Sequence, residues 1–299
     1  MSIEDKIFYN EASASKMGWT PMWFGCEDFD DDLVDAITQW QRSNGLTADG
    51  LCGPGTFRRK YNERINEIDI YVHKETVSRA RNCIIYNGTP YPIKWDMVKL
   101  WTELDALEAN KGCYSDYTGK PKRDIKMFVC HWDVCTSSET CQKVLNKRGI
   151  SVTFMIGADG TIYQTCDMQH ATWHAGGRKW NHSSTGVEIN NAYYPKWGSW
   201  YVRHGFGERP VWNGKVHGTT LDNHLGFYPV QLAALKALIE AVSNATGMPL
   251  ETPDTTTVHP DAAANDYRGV VHHYHLKRGK IDCAGLDLVK LVEDIKNGD

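Results

Sequence analysis

Phe128-Val129-Cys130-His131-Trp132 is a short apolar run that delivers a histidine. Far downstream, Val270-Val271-His272-His273-Tyr274-His275 delivers a cluster of them, followed by Lys280-Ile281-Asp282. Neutral imidazole and carboxylate are good ligands for zinc, and a catalytic zinc takes three protein ligands and keeps one position open for water. His131, one of His272 or His273, and Asp282 read as those three. A histidine after a strand is more often a packed or surface residue than a ligand, so the downstream partners carry this reading.

Moving outward, Ile125 to Cys130 reads as a strand with His131 directly after it. Ser137 and Ser138 precede a helix through Val144-Leu145. Ser151 to Ile156 reads as a strand, Gly157-Ala158-Asp159-Gly160 as a hairpin turn, and Thr161 to Gln164 as the returning strand. Trp173-His174-Ala175-Gly176 follows, and then a short strand over Ser183 to Asn191 that carries Glu188. An edge strand would leave that carboxylate solvated. Tyr193 to Phe227 is long and aromatic, which suits either a binding surface or a satellite hydrophobic cluster under a loop. Pro229 opens a helix whose stripe is Leu232, Leu235, Ile239 and Val242, and Gly247 ends it.

Upstream, Val98, Leu100, Trp101, Leu104 and Leu107 predict an amphipathic helix within Trp95 to Ala109, and Gly112 to Lys126 reads as an exposed loop. Asn62 to Pro90 is polar and mixed, with Ile65, Ile68 and Ile70 suiting helix or strand, and the domain boundary is placed there. Met1 to Tyr61 reads as a small helical unit. Leu33, Ile37 and Trp40 recur at helical spacing behind Asp30 to Asp32, Asn44-Gly45 supplies a turn, and Thr56 caps a second helix to about Arg64.

At 299 residues the chain has room for a large domain and a small one. A net charge of −4 gives no basic footprint for nucleic acid. No stretch is long and apolar enough to span a bilayer. Met1-Ser2-Ile3-Glu4-Asp5-Lys6 lacks the basic and apolar regions of a signal peptide, so synthesis in a cytoplasm is expected. Nine scattered cysteines favour reduced, buried thiols over a disulfide framework.

Two resemblances follow from these residues. Gly18-Trp19, Gln39-Trp40-Gln41, Gly45-Leu46, Asp49-Gly50 and Gly53-Pro54-Gly55-Thr56 resemble the peptidoglycan-binding module of cell-wall hydrolases. The order of His131, the Phe154-to-Tyr163 hairpin, Trp173-His174-Ala175-Gly176, Gly186-Val187-Glu188-Ile189, the histidine cluster and Lys280-Ile281-Asp282 resembles a zinc-dependent N-acetylmuramoyl-L-alanine amidase. That family is shared by bacteriophage lysins, bacterial wall-recycling amidases and animal peptidoglycan-recognition proteins. The likeness covers roughly Ile125 to Leu291.

The resemblance implies an α/β fold, a central mixed β-sheet flanked by helices, with a small N-terminal helical domain. Residues 1–65 would be the wall-binding module, 66–124 a linker and lead-in helix, and 125–299 the catalytic domain. It implies Zn2+ on His131, His273 and Asp282. Glu188 would be the general base, and Lys280 would stabilise the oxyanion. His174, Trp173 and Asn190 would contact substrate. The family has Gly-His where this chain has His272-His273, and Asp-Pro-Gly where it has Asp282-Cys283-Ala284-Gly285, so His272, His275 and Cys283 stay open as alternative ligands. Thr153 departs from the His or Tyr of the family's hairpin strand. Cys135 and Cys141 repeat a spacing that carries a disulfide in the animal relatives, and are expected to stay reduced until release. The implied function is a phage endolysin, a monomer with peptidoglycan as its partner, that reaches the wall after release from the host cytoplasm. A non-catalytic recognition protein and a secreted antibacterial amidase effector are the alternatives.

Overall fold

Ser2 opens the first helix, α1 (Ile3–Met17), by a reciprocal cap with Asp5, and Gly18 closes it in the left-handed conformation. This computed structural model describes residues 1–57, 59–61 and 83–298. It divides into two compact units, Met1–Ser78 and Arg79–Asp299.

In the first unit Asp30 caps α2 (Asp31–Ser43), as its sequence implies, and a short helix α3 occupies residues 54–57 and 59–61. Trp19, Leu33, Ile37 and Cys52 form the core. Gln41 ties the loop after α2 together. Its amide nitrogen donates to Asp49, the Leu51 carbonyl and Thr56, and its oxygen accepts from Gly50 N–H. Gly50 has φ +74°, and a Cβ there would lie 2.8 Å from Val34 Cγ1, so both backbone and space demand glycine. Thr56 is not the expected cap. It is buried inside α3 as a partner of Gln41. Arg64, the isoleucines near 65–70 and the boundary placed near residue 65 lie outside the described residues.

The second unit begins with the hairpin β1 (Cys83–Tyr86) and β2 (Thr89–Pro92), then β3 (Val98–Leu100) and β4 (Tyr114–Ser115). The expected lead-in helix is not there. Val98 and Leu100 are buried with half-buried Lys99 between them, a period of two, while Leu104 is 78% exposed. Residues 83–124 are therefore not a linker, since β3 pairs with β7 in the main sheet. The segment 112–126 is not simply an exposed loop either. Cys113 and Arg123 are buried, and β4 pairs with β8 (Ala171–Thr172).

The chain continues through β5 (Met127–Trp132), α4 (Ser138–Arg148), the hairpin β6 (Phe154–Ile156) and β7 (Ile162–Gln164), α5 (Arg178–Ser183) and β9 (Ser184–Ile189). An aromatic excursion follows, with α6 (Gly198–Arg203) and the short strands β10 (Val211–Trp212), β11 (Lys215–Val216), β12 (Thr219–Thr220) and β13 (His224–Leu225). It closes with α7 (Pro229–Thr246), α8 (Pro260–Ala264), β14 (Gly269–His272), α9 (His273–Leu276) and α10 (Leu288–Asn297). Inside the excursion Tyr201, Leu225 and Tyr228 are buried in a satellite cluster, whereas Trp197 is 40% exposed.

Six strands form one sheet in the order β14-β5-β9-β6-β7-β3. All pairs are parallel except β6–β7. This is the α/β architecture, a mixed sheet flanked by helices, that the sequence predicts. One face carries Phe128, Cys130, Val187, Phe154 and Val270 into the main core, together with Leu235 and Leu238 of α7 and Leu288 and Leu291 of α10. The other face carries Val129 and Val271 against Ala262, and Met155 and Tyr163 against Cys141 and Leu145 of α4. Helices on both faces explain the near-continuous apolar composition of β5 and β14.

Candidate active site

His131 lies within β5, one residue from its end, rather than after the strand. Its partner across the parallel pair is Glu188 of β9. Paired residues of parallel strands project to the same face, so both side chains emerge together at the C-terminal end of the sheet. β9 is an interior strand between β5 and β6, not the edge strand that would leave Glu188 solvated.

His272 pairs with Cys130, one residue out of phase with His131, and so points to the opposite face. There it accepts the Cys283 N–H at 3.4 Å and stacks on Tyr274, with centroids 4.5 Å apart. His273 begins α9, where the change from strand to helix turns it back towards β5. The loop after α9 returns Asp282 to the same place, with Tyr274 N–H donating to the Asp282 carbonyl at 3.3 Å. His131 Nδ1, His273 Nδ1 and Asp282 Oδ2 are then each 2.9 Å from the other two. They are the one group among the described residues with metal-ligand geometry.

Two imidazole nitrogens and a carboxylate oxygen at this distance need a proton or a metal cation among them. Burial and the neighbouring His273 lower His131 to a pKa of about 4, which leaves it neutral. Burial alone would raise Asp282, but the adjacent His273 and His131 outweigh it and hold the carboxyl below its usual range. Neutral nitrogen and ionised oxygen are what a divalent ion takes, so this donor set fits a metal. Cys283 does not join it. Its thiol packs in the core on the other face, and burial pushes it well above the usual thiol range.

A groove of about 430 Å3 opens over the three, lined also by Asp133, Cys135, His174, Glu188 and Lys280. Glu188 is half-buried, and its Oε2 has no hydrogen-bond partner. Burial, and then the negative neighbours Asp133 and Asp282, raise its pKa well above the ordinary carboxylate value, while Lys280 opposes the rise. A carboxyl whose pKa is raised in this way is a better proton acceptor than an ordinary one, which suits it to a general base. Lys280 is half-buried on the rim.

His174 lines the groove and also touches His131, with Nδ1 at 3.0 Å from His131 Nε2. Its own Nε2 faces Ser184 Oγ at 3.3 Å, and Ser184 donates to the Trp180 carbonyl at 2.7 Å. This chain of contacts leaves His131 Nδ1 free to face His273 and Asp282. Gly186 makes room for it, because a Cβ there would fall 2.5 Å from His174 Nδ1. Trp173 is turned elsewhere. Its indole donates to Ser115 in a separate pocket with Arg178 and His182. Asn190, expected at the substrate, is fully buried. It donates to Asp133 and the Cys135 carbonyl and accepts from Tyr201, so no polar atom remains for a ligand. Thr153 is also buried, bonded to Thr172 at 2.9 Å.

The sequence reading missed Asp133 and Ser184. Asp133 accepts N–H bonds from Asn191 and Cys135, yet burial raises its pKa to about 7, placing a second perturbed carboxyl beside Glu188. Its position two residues after His131 was the only signal in the sequence.

No curated protein matches this chain. Three solved structures illustrate what it is similar to. The endolysin N-acetylmuramoyl-L-alanine amidase LysCS from Clostridium intestinale is 15% identical, over 67% of this chain and 95% of its own, with a TM-score of 0.41. The hydrolase AmiA from Staphylococcus aureus is 13% identical, over 78% of this chain and 92% of its own, with a TM-score of 0.41. The Drosophila peptidoglycan recognition protein SA is 16% identical, over 59% of this chain and 79% of its own, with a TM-score of 0.30. These likenesses are distant and carry no part of the assignment. Residues 27–59 match a peptidoglycan binding domain. Residues 121–283, over half of the chain, match the N-acetylmuramoyl-L-alanine amidase family and take in β5, Glu188, the histidine cluster and Asp282. The chain belongs to that family and is a peptidoglycan amidase.

Proposed function

We propose that the chain is a zinc-dependent phage endolysin. It cleaves the amide between N-acetylmuramic acid and the L-alanine of the stem peptide. The observation that carries the metal reading is the triangle of His131 Nδ1, His273 Nδ1 and Asp282 Oδ2 at 2.9 Å per side. Two nitrogens, one oxygen and an open groove are the donor set of a catalytic zinc. Bound there, zinc supplies a water acidified to near neutrality and a polarised scissile carbonyl.

The chain's own residues do the rest. Glu188 accepts the proton of the attacking water and passes it to the leaving amine nitrogen. Lys280 offers a fixed positive charge to the carbonyl oxygen as negative charge develops on it. His174 holds the His131 imidazole in one tautomer. The endolysin role is supported by the pairing of a wall-binding domain with an amidase in one chain.

The test has two arms. Purified protein is incubated with isolated walls, and newly released N-terminal alanine and bound zinc are measured. Release that depends on zinc and disappears in Glu188→Gln is expected, whereas release unaffected by that substitution would sink the mechanism. The protein is also made inside a bacterial cell, with and without a membrane-permeabilising partner. Lysis only with the partner supports the endolysin role, and no lysis in either case overturns it.

A further inference from the structure

The N-terminal ends of β5 and β9 open on a second concavity of about 610 Å3, which shares no lining residue with the His131 groove. Lys126, just before β5, lies in it, and His131 is five residues further along. At roughly 3.3 Å per strand residue the two are about 17 Å apart. Five side chains that line the concavity are cationic: Lys120, Lys122, Arg123, Lys126 and Lys179.

Among the described residues, none of the five has a carboxylate within ion-pair distance. One carboxylate, Asp124, also lines the concavity, but it and the other acids nearby are otherwise engaged. Asp124 holds the Arg268 guanidinium, Asp116 accepts from Thr118, and Asp167 accepts the N–H groups of Asn87, Gly88 and Gln169. The four lysines are oriented by neutral oxygens instead: the Asp116 carbonyl, the Tyr91 hydroxyl, the Asn265 carbonyl and the Ala263 carbonyl. Arg123 forms the floor and is 5% exposed. Its terminal nitrogens donate to the carbonyls of Asn181, Ser184, Met168 and His170, and its Nε has no partner. A buried cation without a counter-charge is costly, and an anion above it offsets that cost. The chain as a whole carries −4, so this positive concentration is local.

We propose that this pocket binds a phosphodiester-linked polyanion of the bacterial wall and anchors the catalytic unit there, separately from the N-terminal domain. Several separated lysines around one buried guanidinium match a repeating charge better than a single carboxylate. The choice of a wall polymer rests on the chain's peptidoglycan substrate.

The test titrates the full-length protein against a fluorescent glycerol-phosphate oligomer, read by anisotropy at low and moderate salt. Wild type is expected to bind, with affinity falling as salt rises. A Lys122→Glu, Lys126→Glu, Lys179→Glu triple variant should bind roughly tenfold weaker or worse. The corresponding glutamine variant guards against misfolding and should fall between the two. Alanine release from walls stripped of phosphodiester polymer should be the same for all three. No binding by wild type, or equal binding by the glutamate variant, overturns the proposal and leaves the amidase untouched. Tighter binding to phosphatidylglycerol vesicles than to the oligomer overturns it in favour of a membrane surface. Full displacement of the oligomer by inorganic phosphate at equal phosphate concentration overturns the polymer in favour of a single-phosphate site.

Discussion

Cys130 and His272 face one another across the parallel pair of β5 and β14, and this register sends His272 to the side of the sheet away from His131. Two adjacent histidines thereby acquire different surroundings. His273→Ala should abolish stoichiometric zinc binding. His272→Ala should keep zinc while losing a buried, stacked ring, at a cost of about 3 kcal/mol in stability. Metal analysis after gel filtration, together with thermal denaturation, separates the two effects. Zinc lost from the His272 variant and kept by the His273 variant would reverse the assignment.

The neighbouring pair Asp282 and Cys283 divides in the same way. Asp282→Ala should release the metal, and Cys283→Ala should retain it, because that sulfur packs on the opposite face. Metal content of the two proteins at equal concentration decides the matter.

Glu188 should govern the acidic limb of the pH–rate profile. Burial and the charges of Asp133 and Asp282 raise its pKa, so the base loses its proton above the ordinary carboxylate range. Lys280 lowers that pKa, so Lys280→Met should move the limb to higher pH, and a shift to lower pH would contradict the assignment. Glu188→Gln should reduce kcat by about 10²–10⁴-fold with zinc affinity unchanged. The same shift has a sign for stability. A carboxyl raised in the folded state stabilises it at low pH, and that contribution is lost as pH rises from the unfolded pKa through the folded one. At neutral pH the metal-free Glu188→Gln protein should therefore melt higher than metal-free wild type.

His174 should act on metal affinity through His131. Removing such an orienting contact weakens binding about 10–100-fold, and His174→Ala should do so in competition with a chromophoric chelator. Gly186→Ala should act in the same direction, since its methyl would occupy the space of the His174 ring. Unchanged affinity in both variants would leave His174 with no positioning role.

In the N-terminal unit, Gln41→Ala should leave Gly50 N–H and the Leu51 carbonyl without their partner, at a cost of about 1–3 kcal/mol. Calorimetry should show an earlier transition for this unit, while the rate on a soluble muropeptide stays at the wild-type value.

Local patterning was enough to place α2, α4 and α7 and the strand that carries His131. Asp30 before Leu33 and Ile37 announces α2, and Pro229 with Gly247 brackets α7, because caps and apolar stripes act within a few residues. His131, Glu188, Lys280 and Asp282 stood out as residue types in a recognisable order. Val98 to Leu107 misled because its apolar spacing also suits a helix, whereas only pairing with β7 makes Val98–Leu100 a strand. Tertiary structure alone set His273 beside His131 and turned His272 to the opposite face, buried Asn190, and moved Glu188 to the interior of the sheet. Each outcome turns on strand register, and register joins residues as far apart as His131 and His273, 142 positions along the chain. A shift of one residue exchanges the two faces, and no pattern within either strand specifies that alignment.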